Sequence, residues 1–198
     1  MISTKNKAQK GIYQEYMDEM AVDGKLEQWD DHHNALDEYL SIDSSRYIMV
    51  YQATAQNGKA VIVIDIKAEA VTEFMQGLNL GDGSIVGFVT AGGRELAVKR
   101  NAGDEQGTPV EGETIFADKD FYLQASETDG VRQVQYNGTD YLFFHSKSED
   151  TGATMCALVP LKVITGQAES IKQITIAGVL ISSIIALLIG TAVTSGIR

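Results

Sequence analysis

Arg46 to Ile66 reads RYIMVYQATAQNGKAVIVIDI. Its β-branched and aromatic residues fall into two runs, Tyr47 to Gln56 and Lys59 to Ile66, on either side of Asn57-Gly58. Asn-Gly supplies two residues that accept positive φ, as a tight turn between right-twisted strands requires. The stretch predicts an antiparallel hairpin, and so a fold built at least partly from antiparallel sheet.

Working outward, the period changes on both sides. Upstream, Ile12, Tyr13, Tyr16, Met17 and Met20 recur at helical spacing before Gly24, which predicts a helix over about 11–22. Leu26, Trp29, Leu36, Tyr39 and Leu40 form a second stripe over about 25–41, with Asp30, Asp31, Asp37 and Glu38 facing away. Residues 1–45 thus read as an N-terminal helical segment. Downstream, Ala68 to Met75 reads as a helix with Ala70, Val71, Phe74 and Met75 on one face. Ser84 to Thr90 and Arg94 to Lys99 read as strands turned by Ala91-Gly92-Gly93, and Asn101 to Glu113, glycine-rich and acidic with Pro109, as an exposed loop. Asp120 is placed to cap a short helix through Leu123. Val131 to Tyr136 turns through Asn137-Gly138 into Thr139 to Ser146, and Ala153 to Val159 makes the last strand before Pro160. Leu161 to Gln173 then reads as a connecting helix.

Charge is distributed unevenly. The first 172 residues hold 15 of the 16 cations and all 27 acids, a net charge of −12, and Gln173 to Ile197 carries none. Such an acidic module repels phosphate backbones, which argues against nucleic acid as a partner. One cysteine, Cys156, excludes an internal disulfide framework and a paired-cysteine zinc site. The charge-free run contains ITIAGVLISSIIALLIGTAV, Ile174 to Val193, and as a helix its 25 residues reach ~37 Å against a hydrocarbon core of ~30 Å. It is read as one transmembrane helix, with residues 194–198 beginning a cytoplasmic segment. Small residues in it, including Ser182, Ser183 and Gly178, suit helix pairing in a homodimer.

Candidate chemistry is sparse. Asp30-Asp31-His32-His33 holds four potential metal ligands, but helical neighbours point about 100° apart, so the cluster reads as a solvated face and no metal is expected. His145, alternating with Tyr141 and Phe143, either lines a ligand cavity or sits in the core. Asp65 either caps the helix after it, the favoured reading, or anchors a ligand amine. Arg94 is either a carboxylate clamp or a turn-flanking charge. GDGSIVG at Gly81 to Gly87 precedes a strand and reads as a turn, not a phosphate loop. With no paired catalytic carboxylates, no Ser/His/Asp set and no cofactor motif, neither an enzyme nor a cofactor is expected.

RYIMVYQATAQNGKAVIVIDIKAEAV, followed by VQYNGTDYLFFHSKSEDTGATMCALVPLKVI, resembles the Cache sensor domains of bacterial chemoreceptors, the methyl-accepting chemotaxis proteins. The first stretch is similar to that family's opening hairpin ending in Asp65-Ile66. The second is similar to its closing strand pair with a Val159-Pro160 exit. The resemblance covers roughly Arg46 to Arg198. It implies an α+β fold, a PAS-like antiparallel sheet with flanking helices over 46–160, followed by a helix over 161–173 and the membrane span. It also implies an extracytoplasmic domain that binds a small organic ligand, such as an amino acid or organic acid, and shifts the membrane helix. Ligand contacts are then expected from Tyr51, Asp65, Arg94, Tyr122, Tyr141 and His145. The chain departs from the family in lacking a first span, a HAMP module and the signalling hairpin, so it is expected to be a fragment whose kinase coupling lies in missing downstream parts. A histidine-kinase or cyclic-nucleotide receptor sensor, and a tail-anchored structural or adhesion module without ligand, are the alternative readings.

Overall fold

The computed structural model describes residues 11, 14, 16, 27–54 and 61–166. The expected membrane span and the Asn57-Gly58 turn lie outside them, and among the described residues no helix is long and apolar enough to cross a membrane. By its contacts the chain divides into two units, Met1–Val159 and Pro160–Arg198. The fold is α+β with two antiparallel sheets.

The first sheet has three strands in the order β1 (Glu27–Asp30), β2 (Tyr47–Thr54), β3 (Val61–Lys67). The predicted hairpin is its β2–β3 pair, with Tyr51 opposite Ile64 and Ala53 opposite Ile62. The helix expected over 25–41 is instead β1 followed by a shorter helix, α1 (Asn34–Leu40). The correction has a non-local cause. The free edge of β2 offers backbone partners, and Trp29 lies opposite Tyr51 with ring centroids 5.1 Å apart, a cross-strand aromatic pair that outweighs weak helix propensity. A boundary at residue 45/46 therefore cuts through a sheet. One face of this sheet packs Val61 and Val63 against Leu36 and Tyr16. The other carries Trp29 and Tyr51 and leaves Ile62 and Ile64 exposed.

The second sheet has six strands in the order β6-β5-β4-β9-β8-β7. They are β4 (Ile85–Val89), β5 (Glu95–Lys99), β6 (Thr108–Pro109), β7 (Asp129–Tyr136), β8 (Thr139–Lys147) and β9 (Thr154–Pro160). The last strand in sequence thus sits between the early pair and the late pair. Asn137 and Gly138, at φ 48° and 74°, make the tight turn read from the sequence. The 101–113 loop is largely exposed, except that Thr108–Pro109 pairs with β5 at the sheet edge, where proline's missing N–H costs no ladder bond. Residues 161–166 are helical.

Each face of this sheet has its own cover. On one, α2 (Ala68–Gln76) sets Val71 and Met75 on Val86, Val98, Phe88 and Leu96. Phe74, expected on the buried stripe, is 63% exposed, because the i, i+3, i+7 row from Ala68 meets the sheet and not the row through Ala70. On the other, residues 110–125, including α3 (Asp120–Leu123), place Phe116 and Phe121 on Phe143, Leu158, Tyr136 and Tyr141. Lys119, not Asp120, holds the N-cap position of α3, and no side chain caps it. Glu95 fixes this cover from beneath, accepting hydrogen bonds from the backbone N–H groups of Ile115, Phe116 and Ala117 at 2.8, 3.0 and 2.9 Å. Arg100, 5% exposed, ties the far side, donating to the carbonyls of Gln76, Leu78, Asp104 and Glu105.

Cys156 lies in this core, and burial, reinforced by the Glu95 carboxylate, pushes its thiol up to about 12. Burial and then a hydrogen bond to Glu113 push the Tyr136 phenol up to about 12 as well. Both values are raised over the unfolded ones, so both contributions to stability are complete below the unfolded pKa values and are lost as pH rises toward 12. Urea titrations followed by circular dichroism should show stability falling between about pH 9 and 12, and Cys156→Ala should flatten the start of that fall. At neutral pH a thiol reagent should label Cys156 rapidly only after unfolding.

Candidate functional site

The sheets meet where β2 begins. Tyr47 pairs with Lys67 and Met49 with Ile66, so Ile48 is the extra residue of a β-bulge. A bulge takes carbonyls out of the ladder, and in a buried junction those carbonyls need donors. Arg94 supplies them. Its guanidinium donates to the carbonyls of Tyr47 at 2.8 Å and Ile48 at 3.3 Å, and also to those of Ser44 at 2.8 Å and Asp31 at 2.7 Å. The same guanidinium lies 5.4 Å from the centroid of the Tyr47 ring, within cation–π range. Asp31 accepts from the Thr90 hydroxyl at 2.7 Å, and its carboxylate occupies the space where a side chain at Gly92 would stand.

Tyr47 joins this clamp to a second polar group. Its hydroxyl donates to Asp37 at 2.5 Å, and burial followed by that bond raises the phenol's pKa, so it remains a donor. His33, 2% exposed, holds Asp65 through Nε2 at 2.8 Å, while Nδ1 is 3.0 Å from Asp37 but out of line for a hydrogen bond. Two expectations are corrected here. The Asp30–His33 run is no solvated face, because residues 27–33 do not form a helix and the chain turns His33 inward between α1 and β3. Asp65 does not cap α2, whose N-cap position is Lys67; it is drawn to His33, 32 residues earlier.

In front of this junction the Trp29–Tyr51 face of the first sheet and two turns of the second enclose a groove. It consists of two recesses of about 620 and 290 Å³ that share Trp29 and Thr151. Glu27, Tyr51, Asp150 and Gly152 line the larger, and Asp30, Asp31, His32, Met49, Gly92 and Arg94 the smaller. The Tyr51 hydroxyl donates to Glu27 at 2.7 Å, and this bond, then burial, raises the phenol's pKa; the groove's negative charge therefore belongs to its carboxylates.

The six residues named from the sequence do not converge. Tyr51 and Arg94 line the groove, and Asp65 lies behind it. Tyr122 is near Thr154, 3.4 Å between hydroxyls, and its pKa is raised by burial. Tyr141 is buried among aromatic rings. His145 is 8% exposed, stacks on Phe143 and meets the Glu127 carbonyl through Nε2 at 3.1 Å. It borders a separate 330 Å³ recess with Gln124, Glu127 and Arg132. Trp29, Tyr47 and Glu95 were not anticipated, and His33 was weighed only as a metal ligand. Nothing local marks them, since each acts through a partner at least ten residues away.

The chain matches no family model and no curated protein. Among solved structures, the extracellular domain of a protein described as a histidine kinase, rpHK1S-Z16, aligns with 60% of this chain and 49% of its own length, at 16% identity and a TM-score of 0.41. The aligned part is about half of that domain, and a likeness this slight carries no argument about fold or function.

Because Arg94 serves carbonyls in two dimensions, Arg94→Lys should destabilise the chain by about 2–4 kcal/mol, since one ammonium cannot reproduce the planar fork. Urea unfolding of the full chain in mild detergent, followed by Trp29 emission, measures this. A loss below about 0.5 kcal/mol would mean that the clamp contributes little.

Proposed function

We propose that the chain is the sensing part of a membrane-anchored receptor, with a small organic solute as its input and the groove as its binding site. The observation that carries this is connectivity. The groove wall formed by Asp150, Thr151 and Gly152 leads at once into β9, then into the helical residues 161–166, and then along the chain to the charge-free run 173–197. A solute that moves this turn acts on the strand that leads toward the membrane segment. The resemblance of Arg46 to Val71 and of Val134 to Ile164 to Cache sensor domains supports an extracytoplasmic, PAS-like domain, a cytoplasmic C-terminus, a dimer and chemotaxis as the output. A histidine-kinase output would use the same displacement. The proposal includes no enzymatic role.

One observation favours the alternative of a structural module without ligand. The sheet face under residues 110–125 is filled by Phe116, Phe121, Phe143 and Leu158, which leaves the centre of that face occupied. The sensing reading therefore places the solute in the groove and not on that face.

Trp29 is the only tryptophan and lies in the groove wall, so it reports occupancy directly. The full chain in detergent should be screened against amino acids, organic acids and amines by Trp29 emission and thermal shift. An occupant at one hundred times its Kd should add ~2.7 kcal/mol of stability and change the emission saturably. If no solute class does either, the structural reading replaces the sensing one.

A further inference from the structure

The groove has a decided charge. Among the described residues, four carboxylates, those of Glu27, Asp30, Asp31 and Asp150, line it against the His32 imidazole and one guanidinium, Arg94. A guanidinium in a cleft ordinarily points to a carboxylate or phosphate ligand. Here that inference fails, because both terminal nitrogens of Arg94 are committed to four backbone carbonyls and its face to Tyr47. An anion entering the groove would find no free fork and four like charges.

The rest of the lining is suited to the opposite charge. Trp29 and Tyr51 stand side by side with their planes at 51°, and both line the larger recess. Ring faces attract cations, tryptophan most strongly, and the attraction grows as the cation loses water. Glu27 accepts a hydrogen bond from Tyr51, and a carboxylate has room for more. Asp150, exposed at the turn, stands on the opposite wall. The recess of about 620 Å³ is far larger than a metal ion needs and falls in the range of small-molecule sites.

We infer that the ligand of this groove is an organic cation, an alkylammonium held between the Trp29 and Tyr51 rings and the carboxylates of Glu27 and Asp150. The inference rests on the groove being the binding site and adds the charge and class of its occupant. It stands on the shape of the recess, its aromatic wall and the commitment of Arg94 together.

The test uses the full chain in detergent and three probes of matched size: choline, its uncharged isostere 3,3-dimethylbutan-1-ol, and the anion 3,3-dimethylbutanoate. Choline should change Trp29 emission saturably, and the isostere should bind at least tenfold more weakly. Raising the salt from 50 to 500 mM should weaken choline binding several-fold. Glu27→Gln with Asp150→Asn should weaken choline at least tenfold and leave the isostere unchanged. Both positions are exposed, so the double variant is expected to fold, and circular dichroism checks this. If the alcohol or the anion binds as tightly as choline, the cation assignment is overturned while the groove remains the site. If none of the three perturbs Trp29, and no other solute does, the groove reading fails with it.

Discussion

The junction of the two sheets depends on one guanidinium meeting one bulge. The extra residue at Ile48 turns β2 out of the three-stranded ladder and lets Ile48 and Met49 enter the apolar contact with Ala153, Phe88 and Leu96. The same irregularity releases backbone carbonyls into a place water does not fill. Arg94 satisfies two of them, those of Tyr47 and Ile48, and the carbonyls of Ser44 and Asp31 besides, with charge-assisted bonds in a fixed plane. Bulge and arginine therefore make sense only as a pair. The three-stranded sheet is held at a definite angle to the six-stranded one because their meeting point is polar and directional, not merely greasy.

A second consequence concerns charge economy in an acidic chain. Residues 1–172 have 15 cations, and two of them, Arg94 and Arg100, are given to backbone carbonyls instead of carboxylates. Glu95 mirrors them, its carboxylate serving three backbone N–H groups. All three fix a loop to a strand: Arg94 the segment 31–48, Arg100 the loop after β5, and Glu95 the cover at 115–117. An ion pair would have matched charge with charge. Matching charge with backbone ties irregular chain to regular sheet, which is the need of a fold whose two faces are covered by loops and short helices.

What could be read from the sequence follows from this. The β2–β3, β4–β5 and β7–β8 pairs were legible because alternation and turn residues such as Asn137-Gly138 act locally. β1 was not, since Glu27–Asp30 becomes strand only by borrowing the edge of β2. Asp65 was legible as a functional group but not in its role: a cap and a histidine partner demand the same side chain, and only the fold brings His33 to it. Arg94 was read as a carboxylate clamp or a turn-flanking charge, because its target, a bulge 46 residues away, has no signature of its own. Of the two rings that line the larger recess, Tyr51 was named from the sequence and Trp29 was not, because the two were assigned to different kinds of secondary structure.

Arg94 decides more than the joint, because its commitment sets the sign of the groove in front of it. Had the guanidinium been free, it could have served as counterion to one of the carboxylates of Glu27, Asp31 and Asp150, or to an anionic ligand. With its donors turned backward to Ser44, Tyr47 and Ile48, the carboxylates face outward unpaired by it. The domain's net charge of −12 acts in the same direction at longer range, concentrating cations near the surface and thinning anions, with a reach of about 8 Å at physiological salt. Local lining and global field thus agree. An anionic ligand would oppose both, and the Arg94 fork is not free to hold it. In the proposed reading, the constraint that joins the sheets also selects the class of solute the groove would hold.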